Sequence, residues 1–321
     1  MKRPIAVQAG LFLLSITAAA GNVQAQGLVS SDGAELAITG TEVRLVDSAP
    51  FKGTGRMSLE ALSVEGAIFE SVPMSELMAS RPMTAGIGVE TILGTDSRVR
   101  VFTNRFPQRA IGLITFSTTG GTSLCSGWLI GKDTVATAGH CVAAGGSKKF
   151  YSISSYRFYA GKNGSASPYG SCTARTLYTS SNWYNNGLDD YDFGLIKLNC
   201  TIGNTVGWFG FFYTTASLLN EVTVISGYPG DKPLDQWQSV DKVRVVEPKR
   251  LFYKNDSVGG MSGSPVFSDR PPGAPFAANG LYGIGVHTYG VYGDAPYNTH
   301  NHATRIDKSV YDAFMSVKNA P

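Results

Sequence analysis

The stretch 257-SVGGMSGSPVF-267 decides how this chain reads. Ser262 sits among glycines and is followed by a proline and a short apolar run. Such a serine is either a nucleophile on a tight turn or a small residue chosen for its size. Only partners elsewhere in the chain separate the two, because a nucleophilic serine needs a base for its proton and a third group to orient that base. The chain has four histidines, His140, His287, His300 and His302. His140 lies in 137-TAGHC-141, directly after the strand-like 133-DTVAT-137. In 189-DDYDFGLIKL-198, Asp192 stands before an apolar strand, where its carboxylate can be buried against an imidazole. The order His, Asp, Ser excludes the α/β-hydrolase pattern, in which the acid and the base follow the serine. Gly260-Met261-Ser262-Gly263-Ser264 also ends in Ser where that fold's nucleophile elbow ends in Gly.

Around this core the chain divides into three parts. Lys2 and Arg3 precede an apolar run from Ile5 to Ala20, and Val23-Gln24-Ala25 supplies small residues for cleavage. Residues 1–25 therefore read as a secretory signal, too short for a membrane span and broken at Gly21 and Asn22. Residues 26–90 hold 4 Lys and Arg against 9 Asp and Glu, a formal charge of −5, and no Cys. From Thr91 onward there are 21 Lys and Arg against 15 Asp and Glu, a charge of +6, with all four Cys. This shift predicts an acidic pro-segment at 26–90 that associates with a basic mature domain at 91–321; a small separate domain is the alternative. The positive charges are scattered, which argues against nucleic acid. No later run is apolar enough to place the mature part in a membrane, and export to the extracellular medium is expected. Four Cys in an exported chain predict two disulfides. Cys125 and Cys141 are close in sequence, which leaves Cys172 and Cys200, although spacing does not prove the pairing.

Short apolar runs separated by Gly, Ser, Asn and Pro recur at 110-AIGLITF-116, 127-GWLIG-131, 193-FGLIKL-198, 222-VTVISGYP-229 and 281-LYGIGVH-287. This pattern predicts an antiparallel all-β domain. One helix is expected at the end, where Ile306, Val310, Phe314 and Val317 recur at helical spacing after a capping Asp307.

Together TAGHC, DFGLIKL and GMSGSP resemble the three signatures of the chymotrypsin-fold serine proteases. The stretches 203-GNTVGWFGFFYTTASL-218, 226-SGYPGDK-232, 259-GGMSGSPVF-267 and 286-VHTYGVYG-293 narrow the resemblance to the V8-like glutamyl endopeptidases, most of all the Bacillus type, over nearly all of 91–321. The resemblance implies two six-stranded antiparallel β-barrels with the site in the cleft between them. It implies a triad of His140 as base, Asp192 as orienter and Ser262 as nucleophile. The backbone N–H groups of Gly260 and Ser262 would face the oxyanion, and Cys125–Cys141 would brace the His140 loop. No cofactor is implied. The expected product is a secreted monomer acting on protein and peptide substrates. An inactive binding homologue of the fold is the reading from another class, which the complete triad opposes.

The cues to specificity conflict. Asp256, six residues before Ser262, stands where trypsin-like enzymes keep the carboxylate for Lys or Arg, and Ser257 follows as in trypsin. His287, 25 residues after Ser262, opposes this, because a polarised imidazole there attracts a carboxylate. The resembled family has His at this position and Ser or Thr at that of Ser257, both hydrogen-bonding the substrate glutamate. Cleavage after Glu, more weakly after Asp, is therefore expected, with Asp256 turned away or neutralised. Met261 stands where trypsin-like enzymes keep the Asp that pairs with the new N-terminal amine, so activation must differ. The family's mature sequence would begin at Thr91, placing the activation cut after Glu90 and the freed amine of Thr91 at the substrate carboxylate. His300 and His302, in 298-NTHNH-302, read as solvent-facing loop residues and not as metal ligands.

Overall fold

The computed structural model describes residues 27–36, 38, 48–55, 67–68, 90–270 and 280–321. The expected signal at 1–25 and most of the expected pro-segment lie outside the described residues.

Six strands build the first half: Ile111–Thr118 (β1), Gly121–Leu129 (β2), Thr134–Thr137 (β3), Arg157–Ala160 (β4), Ser171–Ser180 (β5) and Gly194–Leu198 (β6). They pair in the order β4-β1-β2-β3-β6-β5, and β5 pairs again with β4, so the sheet closes into a barrel. Closure removes exposed strand edges, which allows nearly continuous apolar runs such as Ile111–Phe116 to be buried. The β1–β2 hairpin pairs Thr118 with Gly121, whose φ of +116° is one that a side chain disfavours.

The second half contains Val222–Gly227 (β7), Trp237–Lys242 (β8), Arg250–Tyr253 (β9), Pro265–Arg270 (β10), Gly280–Tyr289 (β11) and Asn301–Arg305 (β12). These run β9-β12-β11-β10-β7-β8, with Val245–Val246 and Val99–Arg100 extending the two edges. Among the described residues no pairing joins those edges, so this sheet is a half-barrel. The short run Gly210–Phe211 joins β11 in parallel. The all-β expectation with a terminal helix is met. Lys308–Asn319 is an α-helix whose N-cap Asp307 accepts from the Val310 N–H at 2.9 Å. Val310, Phe314 and Val317 form its buried stripe. Phe314 meets Trp128 of β2 and Phe211 edge to face, at 6.1 and 5.4 Å between ring centroids. Burying a side chain of this size stabilises by about 2–3 kcal/mol. Among the described residues no helix is long and apolar enough to cross a membrane.

Parts of the 26–90 segment lie on the first barrel. Leu28–Ser30 adds an antiparallel edge strand to β5, and Ala67–Ile68 pairs with the other end of the same strand. Phe51 exchanges backbone hydrogen bonds with Trp208 at 2.9 and 2.8 Å.

Candidate active site

The first barrel positions the candidate base and its orienter. His140 lies on the short turn Gly139–Cys141 that follows β3. Gly139 is needed there because a Cβ would stand 2.8 Å from Asp192 Oδ1 and 2.9 Å from the Trp183 ring. Cys141 is bonded to Cys125 of β2, which ties this turn to the barrel wall. The second disulfide joins Cys172 of β5 to Cys200, just beyond β6. Asp192, fully buried before β6, grips the His140 residue twice. Its Oδ1 accepts the His140 backbone N–H at 2.8 Å, and its Oδ2 lies 2.7 Å from the ring Nδ1. Burial raises the Asp192 pKa, but the His140 charge and these hydrogen bonds outweigh it and hold the carboxyl below its ordinary range. Burial pulls the His140 imidazole down, while Asp192, with help from Glu90 and Asp189, lifts it above the usual value.

The second half carries the nucleophile turn. Gly260 has φ +101°, and a Cβ there would meet the Tyr228 carbonyl oxygen at 2.6 Å. Gly263 has φ +86° and is crowded by Thr137 and Ser126 of the first barrel. Ser126 also bolts the two halves together: its N–H donates to the Ser262 carbonyl and its hydroxyl to the Gly260 carbonyl, both at 2.8 Å. Cys141 Sγ lies 3.8 Å from the Ser262 carbonyl oxygen, which brings the His140 turn beside the serine.

The acid-binding candidates converge on the same place. His287, fully buried on β11, accepts the Gly263 N–H on its carbonyl at 2.7 Å and donates its N–H to Ser264 at 2.9 Å. Its Nδ1 lies 2.7 Å from the Tyr253 hydroxyl. Burial drives the imidazole down to about 3, with the His140 charge adding to the effect, so the ring is neutral. The Tyr253 phenol keeps its proton because burial raises it far above its ordinary range. A hydroxyl that donates to Nδ1 would leave the ring's hydrogen on Nε2. A neutral ring does not bring the full positive charge of a cationic histidine. Ser257 Oγ is buried with no hydrogen-bond partner.

Thr91 is clamped beside them. Asn301 accepts its N–H at 3.1 Å and donates to its carbonyl at 2.6 Å, and the Ser257 N–H points to the same carbonyl at 3.4 Å. Asp256 faces away from the pocket. It accepts the N–H groups of Leu93 and Ser97 at 2.7 and 2.8 Å and the Ser97 hydroxyl at 2.6 Å. Met261 is fully buried in the apolar core of the second half.

Glu90 occupies the middle of the site. Ser262 Oγ donates to Glu90 Oε1 at 2.7 Å, and His287 Nε2 lies 3.5 Å from the same oxygen. Burial pushes the Glu90 carboxyl up to about 8, against the opposing pull of the Ser262 hydrogen bond and the His140 charge. Three contributors escaped the sequence reading: Ser126, Tyr253 and Asn301. Each is an ordinary polar residue on a strand, and only folding brings it to the site. His302 corrects an expectation, because it is not a solvent-facing loop residue. It lies buried on β12 among Phe252, Tyr289, Tyr292 and Tyr297, with Arg250 donating to its Nδ1 at 3.1 Å.

A closed antiparallel barrel bearing a His-Asp pair and a half-barrel bearing a glycine-flanked serine define the class, a chymotrypsin-like serine endopeptidase. The family described as Trypsin matches residues 104–313. A glutamyl endopeptidase of Bacillus licheniformis is 41% identical over 241 residues, covering 74% of this chain and 72% of that protein. A solved structure described as Glu endopeptidase in complex with MPD superposes with a TM-score of 0.63 at 29% identity, covering 71% of this chain and all of that one. The chain belongs to the trypsin family, and within it to the glutamyl endopeptidases. A Bacillus subtilis protein called an extracellular metalloprotease is also similar, at 31% identity over 89% of this chain and 85% of that protein. Among the described residues the metal-type cluster is Cys125, His140 and Cys141, whose two sulfurs are joined to each other and whose imidazole Nδ1 is held by Asp192.

Proposed function

We propose that the chain is a secreted endopeptidase that hydrolyses peptide bonds after Glu, and more slowly after Asp, through an acyl-enzyme. The observation that carries this reading is the glutamate carboxyl of Glu90, buried between Ser262 Oγ and His287 Nε2. Ser257, whose N–H lies 3.4 Å from the Thr91 carbonyl, adds a buried unpartnered hydroxyl, which we take as a second donor for a substrate carboxylate. Asp, one methylene shorter, reaches these donors less well. Lys or Arg finds no free carboxylate, because three hydrogen bonds commit Asp256 to the 93–97 segment.

In the proposed reaction Ser262 Oγ attacks the carbonyl carbon while its proton passes to His140 Nε2. Asp192 keeps the imidazole oriented through Nδ1 and stabilises its cation. The N–H groups of Gly260 and Ser262 face the oxyanion, and losing one such donor typically costs ~10²- to 10³-fold in rate. The imidazolium protonates the departing amine, and water then releases the acyl group by the same steps in reverse. Tyr253 is a positioning residue, since its hydroxyl selects the His287 tautomer that presents N–H to the carboxylate. Export by residues 1–25 and removal of 26–90 by a cut after Glu90 complete the proposal, leaving the Thr91 amine near Asn301 Oδ1.

Matched peptides with Glu, Asp, Gln or Lys before the scissile bond test the reading, with the Ser262→Ala chain as control. Fastest turnover of the Glu peptide is expected; faster cleavage of the Lys peptide would overturn the pocket assignment.

A further inference from the structure

We propose that Glu90 is an internal ligand of the specificity pocket, and that the uncleaved chain holds itself inactive by seating this side chain on Ser262. The proposal rests on the reading of the site as a serine protease centre and adds how that centre is restrained.

A hydroxyl has one proton. In the uncut chain the Ser262 proton is donated to Glu90 Oε1 at 2.7 Å, so it is not donated to the base. The same oxygen lies 3.5 Å from His287 Nε2, where an incoming substrate carboxylate would be recognised. One buried side chain thus withholds the nucleophile and fills the pocket at once.

The next residue explains why the contact persists. Asn301 grips both the N–H and the carbonyl of Thr91, and the Ser257 N–H and the Val291 N–H approach the Thr91 carbonyl and hydroxyl. Asp256 then anchors Leu93 and Ser97. With the chain tethered immediately after Glu90, its side-chain carboxyl meets Ser262 Oγ. The group hydrogen-bonded to the nucleophile is this side-chain carboxyl. A chain therefore does not cut its own 90–91 bond in this arrangement; the cut is made by the site of another molecule. There the C–N bond breaks, water supplies OH to the Glu90 carbonyl carbon, and its remaining proton goes to the Thr91 amine. Release of the Glu90 end then frees the pocket and the Ser262 proton together.

The test uses the full-length exported chain and a fluorophosphonate that labels reactive serines, with uncut and cut bands resolved on a gel. In wild type the uncut band is expected to label at least ~10-fold more slowly than the mature band, the scale of one buried hydrogen bond. The uncut Glu90→Ala band is expected to label at least ~10-fold faster than the uncut wild-type band. Equal labelling of those two uncut bands would overturn the proposal. A mature band that fails to label would instead remove the protease reading itself. A second measurement needs no variant: the half-time of wild-type conversion should shorten as precursor concentration rises. A half-time independent of concentration would overturn cleavage between molecules.

Discussion

The two halves of the molecule serve the site in opposite ways. On the first barrel, Asp192 holds both the backbone N–H and the ring Nδ1 of His140, and Cys125–Cys141 ties the turn to β2. On the second half, buried polar atoms stand waiting. Ser257 Oγ and His287 Nε2 have no hydrogen-bond partner, and one Glu90 oxygen is likewise unpaired. Buried polar groups are normally satisfied, because each orphan costs about 1–3 kcal/mol. In the proposed reading, the contrast separates a base held in place before substrate arrives from a pocket that a substrate completes.

The widest break in that contrast comes from unsettling the complete half. Asp192→Asn is expected to keep the fold yet lower kcat by ~10⁴-fold, because the amide selects the wrong imidazole tautomer. Steady-state kinetics on a Glu peptide checks this, and KM should change little. Disabling the incomplete half should separate substrates instead. His287→Ala is expected to lower kcat/KM for a Glu peptide by ~10²-fold through loss of a hydrogen bond to a charged group. A matched Gln peptide should be nearly unaffected.

A smaller effect concerns pH. The docked Glu90 carboxyl binds its proton up to about 8, whereas the released side chain returns to the ordinary glutamate range. Docking therefore takes up a proton between those values and weakens as pH rises through that window. His140, His287, Tyr253 and Arg98 are the ionisable groups around it. The labelling rate of the uncut chain, divided by that of the mature chain, is expected to rise ~10-fold from about pH 6 to about pH 9. The smallest effect tests Asp256 as a structural anchor. Asp256→Asn should lower stability by about 1–2 kcal/mol, read from thermal unfolding, and leave the preference for Glu over Lys unchanged.

Much of this was legible in the residues. The three motifs identified the family because each is local: TAGHC, DFGLIKL and GMSGSP carry their meaning within a few residues. The all-β class and the C-terminal helix were legible for the same reason, since periodicity and capping act within a turn or a strand. Contacts between distant segments were not. Tyr253 reaches His287 only because β9 and β11 both flank β12. His302 was misread as solvent-facing because its neighbours in sequence are polar, while its neighbours in space are four aromatic rings.

The sequence by itself determined which chemistry was available: a glycine-flanked serine, a histidine beside a half-cystine, a carboxylate before a buried strand, and the all-β pattern to carry them. Tertiary structure alone decided the direction of Asp256, which trypsin-like spacing left open. Backbone N–H groups at 93 and 97 lie close enough to claim both of its oxygens, and a carboxylate so engaged is not free to hold a substrate's cation. It also decided that Glu90 rests on Ser262, a contact across 172 residues. No local pattern encodes such a contact, because it depends on how the segment after residue 90 is tethered to strands far along the chain.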